Sequence, residues 1–158
     1  MVISFMQYLI IFLISMVPLI ELRGAIPYAI GFKLPLLPSY IICILGNMLP
    51  VPFIFLFARK ILVWGSDKKY IGGFFNWCLK KGEKGGKKLQ EKAGRGLYVA
   101  LFLFVGIPLP GTGAWTGTLA ASLLDMDFKK STLAVMCGVV LAGIIMGLVS
   151  GGVFSFIR

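Results

Sequence analysis

The sequence contains no histidine, only three cysteines and only six acidic residues among 158 positions. The cysteines stand far apart, at Cys43, Cys78 and Cys137, so no zinc site, disulfide framework or Cys/His nucleophilic pair is expected. Charged residues make up 14% of the chain, well below their share in a soluble domain. We therefore expect no enzymatic activity, no metal ion and no cofactor.

Apolar residues, by contrast, are abundant: 58% of the chain is hydrophobic, and the mean hydropathy is +0.93. This composition predicts an all-α integral membrane protein with a single membrane domain over residues 1–158. A helix needs about 20 residues to cross the hydrocarbon core. Two apolar runs meet that length, and they predict membrane-spanning helices over 40–64 and 131–157.

The other apolar runs are interrupted. Residues 106–113 hold two prolines and three glycines, which remove backbone donors and favour non-helical dihedral angles. The flanks on either side are each about half a membrane long, so residues 96–124 are predicted to form a re-entrant hairpin. Residues 1–38 follow the same plan around a tip at 18–27. A set of four or five ordinary kinked helices is the alternative.

The basic residues are concentrated in one segment. The formal net charge is +10, and nine of the 16 basic residues lie between Ser66 and Arg95. The positive-inside rule places this loop, residues 65–95, in the cytoplasm, and its apolar spacing predicts an interfacial helix. With the loop inside, the first half (1–64) and the second half (96–158) have opposite orientations. Residues 21–27 also align weakly with 110–116 at an offset of 89 residues, as expected for an inverted repeat.

Glu21 and Arg23 are the only charged residues before Lys33, and they lie beside the first predicted hairpin tip. An ionised group inside a membrane costs about 2.5 to 3.5 kcal/mol, so such groups normally face a cavity or a partner. We expect Glu21 to be the proton-sensitive group and Arg23 to bind a phosphate or carboxylate through its forked donors. A purely structural pair, or a turn at the membrane surface, would account for the same two residues.

The second tip carries no charge, but its amides, its threonine hydroxyls and the start of the following half-helix predict an anion-binding site. Close packing of the two hairpins is the alternative role. The predicted substrate-binding residues are Arg23, Gly24, Pro27, Pro108, Pro110, Gly111, Thr112, Gly113, Trp115 and Thr116. In the last span, Gly143, Gly147 and Gly151 form a small-residue stripe that is suited to a homodimer or to packing within the chain.

The two tip segments, Glu21-Leu-Arg-Gly-Ala-Ile-Pro27 and Pro108-Leu-Pro-Gly-Thr-Gly-Ala-Trp-Thr-Gly117, resemble those of the small multidrug export proteins of bacteria and archaea. The resemblance covers nearly the whole chain. More distantly, residues 102–111 are similar to the DedA/VTT superfamily. That resemblance implies paired re-entrant hairpins and ion-coupled movement of lipids such as polyprenyl phosphates. Arginines that usually flank the second DedA tip are missing here, where Ile107, Leu109 and Thr112 stand instead.

The resemblance and the residues together predict a transporter or flippase in a prokaryotic plasma membrane. Its expected substrate is an amphiphilic, anionic, lipid-type molecule such as a polyprenyl phosphate or phospholipid, moved with possible coupling to protons. Membrane lipids are the expected partners, and no nucleic acid is expected. The alternatives are a cationic multidrug efflux transporter, in which Glu21 pairs with the drug, and a non-transporting membrane scaffold.

Overall fold

The computed structural model describes residues 2–18, 20–77, 79–80, 96–109 and 111–156. This described part of the chain is helical and contains no strand. Its main helices are α1 (Val2–Met16), α2 (Glu21–Gly31), α3 (Leu36–Met48), α4 (Pro50–Ser66), α5 (Leu97–Gly106), α6 (Ala114–Leu123) and α7 (Phe128–Phe156). Three predictions lie partly outside the described residues: the basic loop over 81–95, Pro110, and the end of the last span at 157.

Two helices in the described residues are long and apolar enough to cross a membrane, Leu36–Ser66 and Phe128–Gly152. The first unites α3 and α4, because Leu49 between them keeps helical angles of φ −60° and ψ −42°. At ~1.5 Å per residue the two are about 46 and 37 Å long, more than the ~30 Å hydrocarbon core. They contain residues 40–64 and most of 131–157. Pro50 has no N–H to donate, so one backbone hydrogen bond is missing where α3 passes into α4, although the helix continues through Leu49.

The second interrupted region is broken where the sequence predicts a break, because α5 ends at Gly106 and α6 begins at Ala114. The first region differs from its prediction. Among the described residues of the predicted tip, 18–27, only Pro18 and Ile20 are non-helical, and α2 continues from Glu21 through Pro27. One proline inside a helix removes a single backbone hydrogen bond. The rest of α2 keeps its hydrogen bonds, so Glu21 and Arg23 lie on its first turn rather than in a loop.

The helices pack so that each half contacts the other. Helix α1 lies against α2 and α3, and α5 lies against α7; α2 crosses over to α7, while α6 crosses over to α4. The core is made of apolar side chains from all these helices, including Ile11, Leu22, Ile26, Val105 and Val135. Large apolar side chains also cover the outside, as expected for a surface that faces lipid rather than water.

The glycine stripe of α7 divides into two parts. A Cβ added at Gly143 would meet the ring of Tyr40, whose hydroxyl donates a hydrogen bond to the Val140 carbonyl. Gly143 is therefore used for packing within the chain. A Cβ at Gly147 or Gly151 would meet no described residue within 4 Å. Within the segment predicted to hold an interfacial helix, residues 72–77 are helical, and Phe74 and Trp77 are exposed there.

Candidate functional site

Four helix ends meet where the helix pair α1–α2 touches the helix pair α5–α6. They are the end of α1, the start of α2, the end of α5 and the start of α6. Each helix end leaves backbone groups without partners inside its own helix, donors at the start and acceptors at the end. In a membrane those groups must find partners within the protein. The tip residues of this chain supply them across the two halves, and we call this junction the tip site.

Glu21 caps the start of α6. Its carboxylate accepts hydrogen bonds from the amide of Ala114, at 3.1 Å, and from the amide of Trp115, at 3.0 Å. The side chain is only 4% exposed. An anion at a helix N-terminus is stabilised by both the free amides and the helix dipole. The anion site predicted at the second tip is therefore occupied, in this structure, by a carboxylate of the chain itself.

The backbone around this contact is adapted to it. Glu21 has a φ of 51°, in the left-handed region that non-glycine residues rarely occupy. Such a conformation costs about 1 to 3 kcal/mol and persists only when surrounding contacts hold it. Opposite it, Gly113 has a φ of 146°, and an added Cβ would meet both carboxylate oxygens of Glu21. Gly113 is thus the residue that lets the carboxylate reach the amides.

Arg23 caps the end of α5. Its guanidinium donates to the carbonyls of Leu109, at 2.6 Å, of Val105, at 3.2 Å, and of Ile107, at 3.4 Å. It also donates to the Thr112 hydroxyl at 3.0 Å. A cation at a helix C-terminus is the favourable counterpart of an anion at an N-terminus. Glu21 and Arg23 therefore do not pair with each other; each holds a different broken end of the second helix pair.

Arg23 is also the more accessible of the two charges. It is partly exposed, whereas Glu21 is buried. The helices that surround the tip site, α1, α3, α5 and α6, contain no charged residue, and α7 has its only charges in its first turn. The electrostatics of the tip site are thus set by one buried carboxylate and one accessible guanidinium.

Two further contacts complete the tip. The indole N–H of Trp115 donates to the Met16 carbonyl at 3.2 Å, at the end of α1. The Thr112 hydroxyl donates within its own turn, to the carbonyl of Leu109 at 2.9 Å or that of Ile107 at 3.0 Å. Every broken helix end at the junction except the start of α2 thus receives a bond from the opposite half.

An apolar cavity of about 470 Å³ opens beside the tip site, between α4 and α6. Trp115 and Thr116 form one wall, and α4 forms the other with side chains that include Phe53 and Phe57. Pro18, in the turn between α1 and α2, also lines the cavity. The volume lies in the range that holds a small organic ligand.

The remaining predicted residues occupy supporting positions. Gly24 and Pro27 lie on α2 beyond the tip, and neither is among the described residues that line the cavity. Pro108 and Gly111 lie in the turn between α5 and α6, where Gly111 has a φ of 80°. Within the described residues, no group of three or more His, Cys, Asp or Glu side chains could hold a metal ion.

A second polar cluster was not predicted. Arg59, on α4, forms an ion pair with Asp125, just after α6, and the Ser122 hydroxyl donates to the Phe55 carbonyl at 2.7 Å. Both contacts tie α4 to α6. The signal in the sequence was the adjacent pair Arg59 and Lys60, two cations inside a predicted membrane span.

Comparison with known proteins bears on these observations. A family model described as "Putative small multi-drug export protein" matches residues 21–145, from the first residue of α2 into α7. Searches of curated proteins and of solved structures each gave no match. The matched region holds the whole tip site except the end of α1, and it covers most of the chain. The protein therefore belongs to this family of small membrane export proteins.

Proposed function

We propose that this export protein moves an amphiphilic, anionic, lipid-type molecule, such as a polyprenyl phosphate or a phospholipid, through the tip site. In this mechanism the anionic group of the substrate contacts Arg23 and the amides at the start of α6. Glu21 releases those amides when it takes up a proton, which couples transport to protons. The apolar part of the substrate lies in the cavity beside Trp115.

One observation carries the proposal: an anion already occupies the start of α6. The amides of Ala114 and Trp115 are directed at the Glu21 carboxylate, so the site has the geometry to hold an anionic oxygen. A protonated Glu21 would be a weaker acceptor, since hydrogen bonds to charged groups contribute about 1.5 to 3 kcal/mol against about 1 kcal/mol for neutral ones. A phosphate could then replace it.

Arg23 and the cavity suit the two ends of an amphiphile. The guanidinium is accessible, and its planar fork matches a phosphate or carboxylate. The cavity of about 470 Å³ has an apolar wall and reaches Trp115 and Thr116, next to the amides that Glu21 occupies. A polar head at the tip and an apolar body in the cavity would therefore lie side by side.

An inverted repeat is part of the proposal, and two contacts support it. At the offset of 89 residues, Arg23 corresponds to Thr112, and these two side chains bond to each other. Equivalent residues meet in this way near a two-fold axis. The same offset relates Met16 to Val105, and each of these carbonyls accepts a bond from a side chain of the opposite half. The reciprocal packing of α2 on α7 and α6 on α4 agrees with this arrangement.

In the proposed topology the pairs α1–α2 and α5–α6 enter the membrane and return. Helices α5 and α6 have 10 residues each. At ~1.5 Å per residue each is about 15 Å long, half of the hydrocarbon core. Their tips would meet at the midplane, which is where inverted-repeat transporters bind substrates. The positive-inside rule then places residues 65–95 in the cytoplasm of a prokaryotic cell.

Transport by reconstituted protein tests the proposal. Proteoliposomes with an imposed pH gradient would be supplied with a fluorescent polyprenyl phosphate, and its movement between leaflets would be followed by quenching. We expect Glu21→Gln to remove the effect of the pH gradient and Arg23→Ala to remove transport. Lys33→Gln is the matched control, because it removes a cation of the same half in the turn after α2.

The outcome separates the mechanism from the alternatives. Unchanged, gradient-dependent transport by both Glu21→Gln and Arg23→Ala would exclude the tip site from transport. Loss of transport in Lys33→Gln to the same degree would show that net charge, rather than the tip site, controls the rate.

Cationic drug efflux is the second candidate, because the family description names multi-drug export and the cavity is of drug size. In that case a lipophilic cation would occupy the cavity and pair with Glu21 in place of the α6 amides. Competition distinguishes the two candidates. Inhibition of lipid-phosphate movement by other lipid phosphates but not by lipophilic cations supports the anionic substrate, and the reverse supports the drug.

A further inference from the structure

A second cavity lies between α4 and the end of α6, separate from the tip site, with a volume of about 610 Å³. Most of its wall is apolar, but two adjacent cations, Arg59 and Lys60, also line it. The lining residues are Phe55, Leu56, Arg59, Lys60, Val63, Trp64, Ser122, Asp125 and Met126. It shares no lining residue with the cavity beside Trp115.

The charges of this cavity do not balance. Among the described residues that line the cavity, Arg59 and Lys60 face one acid, Asp125, which pairs with Arg59. The pair is open to its surroundings, since its side chains are 46% and 71% exposed, and exposed ion pairs contribute only about 0 to 1 kcal/mol. The bond uses one nitrogen of a guanidinium that carries five N–H donors. An anionic ligand can therefore bind Arg59 and Lys60 with little loss of free energy from the Arg59–Asp125 ion pair.

The position of the cavity along the helix fits the headgroup region of a membrane. Arg59 lies about two turns before α4 ends at Ser66, and the whole Leu36–Ser66 helix exceeds the hydrocarbon core by about 16 Å. Trp64, in the cavity wall, lies under the ammonium of Lys68, 4.5 Å from the ring centre. Tryptophan and lysine in such a position are typical of the boundary between the acyl chains and the headgroups.

We propose that Arg59 and Lys60 hold the headgroup phosphate of an anionic membrane phospholipid, with an acyl chain along the apolar wall formed by Phe55, Leu56 and Val63. Charge complementarity selects the headgroup, and the apolar wall requires a lipid rather than a free anion. This site is independent of the proposed transport function. A lipid retained there would brace α4 against α6 in addition to the Arg59–Asp125 ion pair and the Ser122–Phe55 hydrogen bond.

Native mass spectrometry of the intact protein in neutral detergent tests the site. Phosphatidylglycerol and phosphatidylcholine would be titrated separately, and the affinity of the first bound lipid measured. Near a membrane surface each Lys or Arg contributes about fivefold to the affinity for an anionic lipid. The double variant R59Q/K60Q should therefore weaken phosphatidylglycerol binding about 25-fold and leave phosphatidylcholine unchanged.

The matched control is K129Q/K130Q, a second adjacent pair of cations at the start of α7 that does not line the cavity. It should change the affinity less than twofold. Equal weakening by the two double variants, or no weakening by R59Q/K60Q, would overturn the proposal. Competition by free glycerol phosphate at matched concentration would also overturn it, because the acyl chain would then contribute nothing.

Asp125→Asn keeps the proposal testable if R59Q/K60Q fails to fold. This variant leaves both cations in place and removes the carboxylate that competes for Arg59. It should tighten phosphatidylglycerol binding severalfold. Weaker binding would mean that the ion pair shapes the cavity instead of competing with the lipid, and the site would be rejected.

Discussion

Replacing Gly113 by alanine should dislodge the Glu21 carboxylate from the start of α6. The added Cβ would lie 2.7 Å from one carboxylate oxygen and 2.8 Å from the carboxylate carbon, and closer still to the other oxygen. Real Cβ atoms do not approach so closely, so the side chain must move. The two hydrogen bonds to the amides of Ala114 and Trp115 would then be lost.

The expected loss in the free energy of unfolding combines the two hydrogen bonds with the cost of the backbone conformation at residue 113. Each charge-assisted hydrogen bond contributes about 1.5 to 3 kcal/mol, which gives an upper limit of about 3 to 6 kcal/mol for the pair. Partial rehydration of the carboxylate reduces this loss, and alanine at φ 146° and ψ −174°, a region that is essentially restricted to glycine, costs about 1 to 3 kcal/mol. We expect Gly113→Ala to lower the free energy of unfolding by about 3 to 4 kcal/mol, measured in mixed micelles.

Gly111→Ala is the matched control for the backbone cost. Gly111 also has a positive φ, of 80°, but nothing lies within 4 Å of its Cβ position. It should lose only about 1 to 2 kcal/mol. The cause is then isolated by a double-mutant cycle with Glu21→Ala, in which the loss at Gly113 should fall towards the Gly111 value. Equal losses at Gly113 and Gly111, or no coupling to Glu21, would refute this reasoning.

Three further outcomes are expected in the same unfolding assay. Arg23→Gln should lower the free energy of unfolding by about 1.5 to 3 kcal/mol, because the carbonyls at the end of α5 lose a charged donor. Arg23→Lys should recover only part of that loss, since an ammonium has no planar fork. Full stability of Arg23→Gln would contradict the capping role. Gly143→Ala should lower the free energy of unfolding by about 1 to 3 kcal/mol, because the added methyl group overpacks against Tyr40. Gly147→Ala should leave stability unchanged, since no described residue lies near its Cβ position. If a homodimer forms there, Gly147→Ala should instead change the oligomeric state. Tyr40→Phe should lose about 1 kcal/mol with its hydrogen bond to the Val140 carbonyl, and an unchanged stability would show that water or lipid replaces that bond.

Local composition was sufficient to predict the second break and the two helices that are long and apolar enough to cross a membrane. The prolines and glycines of 106–113 predicted a break that lies between α5 and α6, and apolar length predicted the two long helices. The same reasoning placed a break as far as Pro27, where the helix continues. A proline marks a lost hydrogen bond, but surrounding packing decides whether the helix ends there.

The partners of the tip residues could not be read from the sequence. Two isolated charges indicated that Glu21 and Arg23 need partners, and glycines indicated a tight turn at the second tip. The sequence did not show that Glu21 would bind the α6 amides itself, leaving the anion site filled. Contacts between residues about 90 positions apart depend on how the two halves meet, which local patterns do not specify.

The same limit applies to the cluster at the far end of α6. The adjacent cations Arg59 and Lys60 inside a predicted span were a local signal of a polar site, but nothing near Asp125 in the sequence indicated that it would pair with Arg59. Their ion pair, and the cavity beside it, arise only because α6 crosses to the helix of the other half.

In the proposed mechanism, Glu21 and a substrate anion compete for the same two amides, those of Ala114 and Trp115. Amide hydrogen exchange at Ala114 and Trp115 tests this most directly, in wild-type protein and in Glu21→Ala, with and without a short-chain polyprenyl phosphate. We expect strong protection in the wild type, loss of protection in Glu21→Ala, and its return when the lipid phosphate is added. Equal protection in both proteins, or no effect of the lipid phosphate on Glu21→Ala, would contradict it.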